Sequence, residues 1–147
     1  MKHIYRLFIA LLIFASLLAA CAPASIVEEE ETKPVRLEPV EGTDLNHVIL
    51  TEDAAKRLDI QTVSVHEADI SGTPGLVIPY DAVLYEANGN TWVYVSIEPL
   101  VFVRESIVID HIKGNEAFLS KGPDSGSMVV TLGAAELYGS ESEFEEE

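Results

Sequence analysis

Cysteine is nearly absent from this chain: its 147 residues contain one, Cys21. A single thiol excludes an internal disulfide framework and a zinc site built from cysteines. Basic residues are scarce as well, nine Lys and Arg against 25 Asp and Glu, for a formal net charge of −16. A chain of that sign repels phosphate backbones, which excludes nucleic acid as a partner. There is no Gly-x-Ser-x-Gly elbow, no His-Glu-x-x-His pair and no glycine-rich phosphate loop. Esterase, zinc-protease and nucleotide-binding chemistries therefore lack their usual carriers. No apolar run reaches the ~20 residues of a spanning helix, no heptad run occurs, and no internal repeat is visible. What is present is a hydrophobic content of 48%, too high for wholesale disorder. The length suits one modest domain.

The apolar residues are unevenly spread. Lys2, His3 and Arg6 form a basic start, and residues 7–20 follow with only Ser16 polar. A basic region before a short apolar one predicts a secretion signal over residues 1–20. It ends Leu18-Ala19-Ala20-Cys21, which resembles the lipobox of bacterial lipoproteins. That resemblance implies cleavage before Cys21, lipid attachment at Cys21, and a membrane-anchored lipoprotein of the cell envelope facing the periplasm or extracytoplasmic space. Residues 21–46, with Glu28-Glu29-Glu30-Glu31, Pro23, Pro34, Pro39 and Gly42, read as an acidic Pro-containing tether. Residues 140–147 carry five Glu and read as a solvated acidic tail.

The domain is expected over residues 47–139, where the period is mostly two. Residues 48–50 read as a short strand, and Thr51 has the place of an N-cap, with Glu52 and Asp53 in the first turn, favouring the dipole of a short helix that residues 54–58 complete. Alternation over residues 60–65 predicts a half-buried strand. Further strands are expected at 76–78, 82–85, 91–97, 100–103, 107–109, 117–119 and 128–131. Asn88-Gly89 and Gly114-Asn115 mark hairpin turns. The polar pair Arg104-Glu105 suggests a bend, bulge or edge. Residues 134–138 suit one helical turn stopped by Gly139. The fold class is therefore mostly β, a small β-barrel or sandwich with one short helix. Trp92, Val93, Val95, Phe102, Val103, Ile107, Ile109, Phe118, Leu119 and Val129 are the expected core.

Candidate chemistry is thin. A nucleophile needs a base beside it, and no motif surrounds His47, His66 or His111, so no enzyme activity, no catalytic residue and no cofactor is expected. His66-Glu67 and Asp110-His111 are the best local metal candidates. Their spacing carries no ligand signal, and surface histidines are the simpler reading.

A resemblance runs through the domain. Residues 75–79 (Gly-Leu-Val-Ile-Pro), Ala82-Val83-Leu84-Tyr85, Gly89 and Trp92-Val93-Tyr94-Val95 are similar to the C-terminal part of the periplasmic adaptor subunits of tripartite efflux pumps. These are the HlyD-like membrane fusion proteins. The similarity continues through Pro99-Leu100-Val101-Phe102-Val103-Arg104, residues 114–119 and residues 129–139, and residues 48–62 resemble the segment that opens many mature adaptors. Family members place a β-barrel, a lipoyl-like domain and a long helical hairpin between these two segments, where this chain has only residues 65–75. The resemblance implies a module like the adaptor's membrane-proximal domain, where the two segments meet. It implies a lipid-anchored accessory protein docking on an inner-membrane efflux transporter, with no contact to an outer-membrane channel. The alternative is a stand-alone extracytoplasmic lipoprotein binding a metal or small ligand.

Overall fold

The computed structural model describes residues 33–70 and 72–145, all within the unit Thr32–Glu147. Strands β1 (Val35–Pro39), β2 (Asn46–Leu50), β3 (Gln61–Ser64), β4 (His66–Ile70), β5 (Thr73–Pro79), β6 (Leu84–Tyr85), β7 (Thr91–Glu98), β8 (Val101–Lys113), β9 (Glu116–Lys121) and β10 (Met128–Leu132) are joined in one sheet. Among the described residues two α-helices accompany them, α1 (Glu52–Arg57) and α2 (Ala134–Glu145), with a 3-10 turn at Tyr80–Ala82 where the start of the strand expected at 82–85 would lie. Among the described residues no helix is long and apolar enough to cross a membrane.

The hydrogen-bonded path runs β3-β10-β7-β8-β9-β5-β4. Its two ends, β3 and β4, are one stretch of chain interrupted only at Val65, whose N–H and carbonyl bond to Ser127 and Gly126. The sheet therefore curls back onto itself, as the expected small barrel requires. The long strand β8 makes the curl possible. Residues 101–107 pair with β7, residues 101–103 also pair with β2, and residues 108–113 pair with β9. Register shifts between Val108 and His111 bend it between these partners. Of the bend, bulge or edge expected at Arg104-Glu105, bend and bulge are absent, since both residues sit in unbroken pairing with β7; on their other side no described strand is in register with them, as at an edge.

Two cores result. Inside the curl lie Val65, Ile78, Val93, Val95, Ile107, Ala117, Leu119 and Val129. Outside it, the β1–β2 hairpin, α1 and α2 cover Tyr94, Phe102 and Val130 with Val35, Val48, Leu50, Ala54 and Leu137. Strand β7 is thus buried on both faces, Val93 and Val95 inward and Tyr94 outward. That explains why residues 92–95 are a continuous apolar run rather than an alternating one.

Local chemistry sets the ends of the elements. The Thr51 hydroxyl accepts from the Ala54 N–H at 3.2 Å, capping α1 as expected. The helix closes with Ile60 N–H on the Ala55 carbonyl, with Asp59 at φ +49°. Gly89 (φ +89°) sits in the turn between β6 and β7, the hairpin foreseen from Asn88-Gly89.

Both expected domain boundaries shift outward. Residues 35–39 lie in the expected tether, yet β1 pairs with β2 along its whole length and Val35 is buried. The alternating apolar residues Val35 and Leu37 face the outer core, which outweighs the prolines on either side. At the other end, α2 runs through Gly139 and includes most of the expected acidic tail. Tertiary contacts carry the helix past the glycine.

Glu105 faces the same side of β8 as Val103 and Ile107, opposite Val93. Burial, then the charge of Asp124, hold its carboxyl above the ordinary 4.5, with Lys121 opposing. The folded chain therefore binds this proton more readily than the unfolded one, and stability falls as pH rises through the window above 4.5. Glu105→Gln is expected to raise the melting temperature at pH 7, with the gain closing as pH approaches 4.5. Thermal melts at several pH values check this, and a gain independent of pH would contradict it.

Candidate functional site

The outer face of β7 and β8 carries the one buried charge cluster among the residues described. Arg104 on β8 lies directly opposite Tyr94 on β7, so both side chains project from the same face. From the turn after β6, Glu86 Oε1 approaches Arg104 at 2.9 Å, and its second oxygen accepts from Asn88 Nδ2 at 3.2 Å. From α2, Glu141 Oε2 lies 3.0 Å from Arg104 Nε. The Nε–H points off the line to that oxygen, so this contact is an ion pair rather than an aligned hydrogen bond. The Tyr94 hydroxyl donates to the same Glu141 oxygen. The guanidinium carbon lies 5.5 Å from the centre of the Trp92 ring and 5.4 Å from that of Tyr138, within cation–π range.

Burial makes this cluster strong. The Arg104 side chain is 11% exposed, Glu86 18% and Glu141 2%. Desolvation first, and the Glu141 carboxylate second, push the Tyr94 hydroxyl far above the ordinary tyrosine range. It serves as a fixed donor at any physiological pH. A locked arginine, a fixed hydroxyl donor and two aromatic faces make a clamp for a carboxylate.

Sequence reasoning named none of these roles. The sequence suggests only a bend, bulge or edge at Arg104-Glu105 and a solvated tail at Glu141. A signal was present: Arg104 is the only Lys or Arg between Arg57 and Lys113, an isolated cation in a strand-rich stretch.

The expected site residues fall elsewhere. Cys21 and the signal over residues 1–20 lie outside the described residues. His47 sits on β2, paired with Val103. His66 and His111 do share one cross-strand row, His66–Val77–Phe118–His111, on the outer face. Three strand spacings of ~4.8 Å separate them, so they cannot share one ion. His111 instead stacks on Phe118, ring centres 4.4 Å apart, with Nδ1 2.8 Å from Asp110. Among the described residues no group of three or more His, Cys, Asp or Glu is placed to hold a metal. Among the described residues lie two shallow open depressions, one lined by Glu52, Lys56, Asp59 and Leu100, the other by Glu67, Asp69 and Pro74. Neither has the enclosed apolar lining of a ligand pocket.

Compared with protein-family models, curated proteins and solved structures, the chain matches none.

Proposed function

We propose that this chain is a lipid-anchored extracytoplasmic accessory module, similar to the membrane-proximal part of an efflux-pump adaptor, that docks on a membrane transporter. The observation that carries the reading is the junction at Val65. Strand β3 continues into β4, which turns through Gly72 into β5. There the Gly72 N–H bonds to Asp69 Oδ1 at 2.6 Å. The two adaptor-like segments thus meet in one sheet through a tight hairpin, at the point where adaptors insert their long excursion.

Dimensions support action beside one membrane. The helices of the described domain are six and twelve residues long, about 9 and 18 Å. The chain between Cys21 and Val35 extends at most ~50 Å. With lipid on Cys21, the barrel stays near its anchoring leaflet, where the outward surface of a transporter lies. A doubly acylated cysteine would hold it there stably.

Crosslinking in cells followed by affinity purification of the detergent-solubilised protein tests this reading. A membrane transporter is the expected partner, and Cys21→Ser should release the protein from the membrane and abolish the crosslinks. Crosslinks to an outer-membrane channel without a transporter would overturn it, as would undiminished membrane retention of the Cys21→Ser form.

A further inference from the structure

The helix that closes the Arg104 cluster is a poor helix on its own. Gly139 stands in its interior with nothing within 4 Å of where a Cβ would be, so packing does not require the glycine and the helix is weakened by it. The Ser142 hydroxyl bonds back to the Tyr138 carbonyl at 2.8 Å, an arrangement that slightly destabilises helices. Glu141 and Glu143 stand toward the C-terminal end and the last turn has no basic residue, which opposes the helix dipole. Among its described side chains, those of residues 134–143, only Ala134, Leu137 and Glu141 are buried. The helix forms because it is docked, and undocking should melt it.

The cleft beneath does not share this dependence. Arg104, Trp92 and Tyr94 belong to β7 and β8, the most extensively paired strands of the sheet. Glu86 grips the guanidinium from a turn that is itself fixed by Asn88, whose side chain also accepts from the Asn90 N–H at 2.8 Å. Arg104, Trp92, Tyr94 and Glu86 therefore stay assembled when α2 leaves, and only the Tyr138 face of the clamp is lost with it. Beside it, Trp92 Nε1 is buried without a hydrogen-bond partner among the described residues, a donor still unspent.

We propose that α2 is a releasable latch, and that the Arg104–Trp92–Tyr94 cleft it covers docks a glutamate-bearing acidic helix of a partner protein in its place. The present occupant defines the ligand chemistry: an apolar residue at the Leu137 position, an aromatic next to it, and a carboxylate one turn later at the Glu141 position. Being attached, α2 competes at an effective concentration near the millimolar range, so the partner's apparent affinity falls in proportion to the fraction of open chains. The inference stands on this cluster alone and does not rest on the transporter reading.

A labelled synthetic peptide of residues 134–147 serves as the probe, with the full chain in detergent. Glu141→Lys, which sets a second cation against Arg104, should release the latch and bind the peptide at least ~tenfold more tightly than wild type. Adding Arg104→Met to that variant should abolish binding. Native-state hydrogen exchange of the wild-type chain provides a readout free of any folding defect. Amides of α2 should open at lower denaturant than those of β7 and β8. Exchange of α2 only in step with β7 and β8 would overturn the proposal. So would failure of the peptide to bind a Glu141→Lys chain whose barrel amides stay protected.

Discussion

Replacing Arg104 with methionine is expected to lower the unfolding free energy by about 3–5 kcal/mol, out of roughly 5–15 for a domain of this size. Methionine keeps an apolar stem between Trp92 and Tyr138, so lost packing contributes little. The loss is electrostatic. Glu86 and Glu141 converge on one guanidinium, and the Glu141 side chain is 2% exposed. Without the cation a buried carboxylate remains, facing a second carboxylate across the cleft, and water cannot reach it to compensate. Urea unfolding of the full chain measures the effect. A loss below ~1 kcal/mol would place the cluster with exposed ion pairs, which contribute little.

A second large effect is expected at Gly133, between β10 and α2. Its φ is +82°, and a Cβ there would lie 2.7 Å from the Leu58 carbonyl oxygen and 2.4 Å from Ile60 Cδ1. The isoleucine tip can rotate away, but the backbone carbonyl that follows α1 cannot. Gly133→Ala thus combines a left-handed backbone penalty of about 1–2 kcal/mol with overpacking of about 1–3 kcal/mol. A loss of about 2–5 kcal/mol is the expected outcome, again read by urea unfolding. The Gly133 carbonyl also accepts the first helical hydrogen bond of α2, from Leu137 N–H at 2.9 Å. The strain should therefore reach the Arg104 cluster and alter the fluorescence of Trp92, the only tryptophan of the chain. Wild-type stability in Gly133→Ala would mean that Gly133 does not lie against the Leu58 carbonyl as described.

The strand pattern was largely legible because it rests on local rules. Thr51 caps α1, Asn88-Gly89 turns β6 into β7, and Gly114 sits at φ +63° between β8 and β9. Of the residues expected in the core, Val93, Val95, Phe102, Ile107, Leu119 and Val129 are buried. Trp92, Val103, Ile109 and Phe118 are only partly so, lying nearer the rims and outer face. Tyr94 escaped because alternation assigns it to the solvent face, whereas a second layer covers that face. Strand β1 and helix α2, which supply part of that layer, lie in segments whose composition resembles solvated tether and tail. Their structure comes from partners distant in sequence: Val35 pairs with Leu50, and Glu141 meets Tyr94. No local window contains either pairing. The barrel's closure at Val65 was hidden for the same reason, since it depends on Gly126 and Ser127 reaching back to that residue.

The central claim is that the acidic C-terminal segment is part of the fold, fastened by one arginine to one glutamate. A double-mutant cycle on Arg104→Met and Glu141→Gln, measured by urea unfolding of the full chain, tests it most directly. The two residues share an ion pair 3.0 Å long in a site almost closed to water. The double variant should therefore lose clearly less than the sum of the single losses, with a coupling of about 1–3 kcal/mol. Single losses that add to within ~0.5 kcal/mol would show that Glu141 does not meet Arg104, and that residues beyond Gly139 are a tail after all.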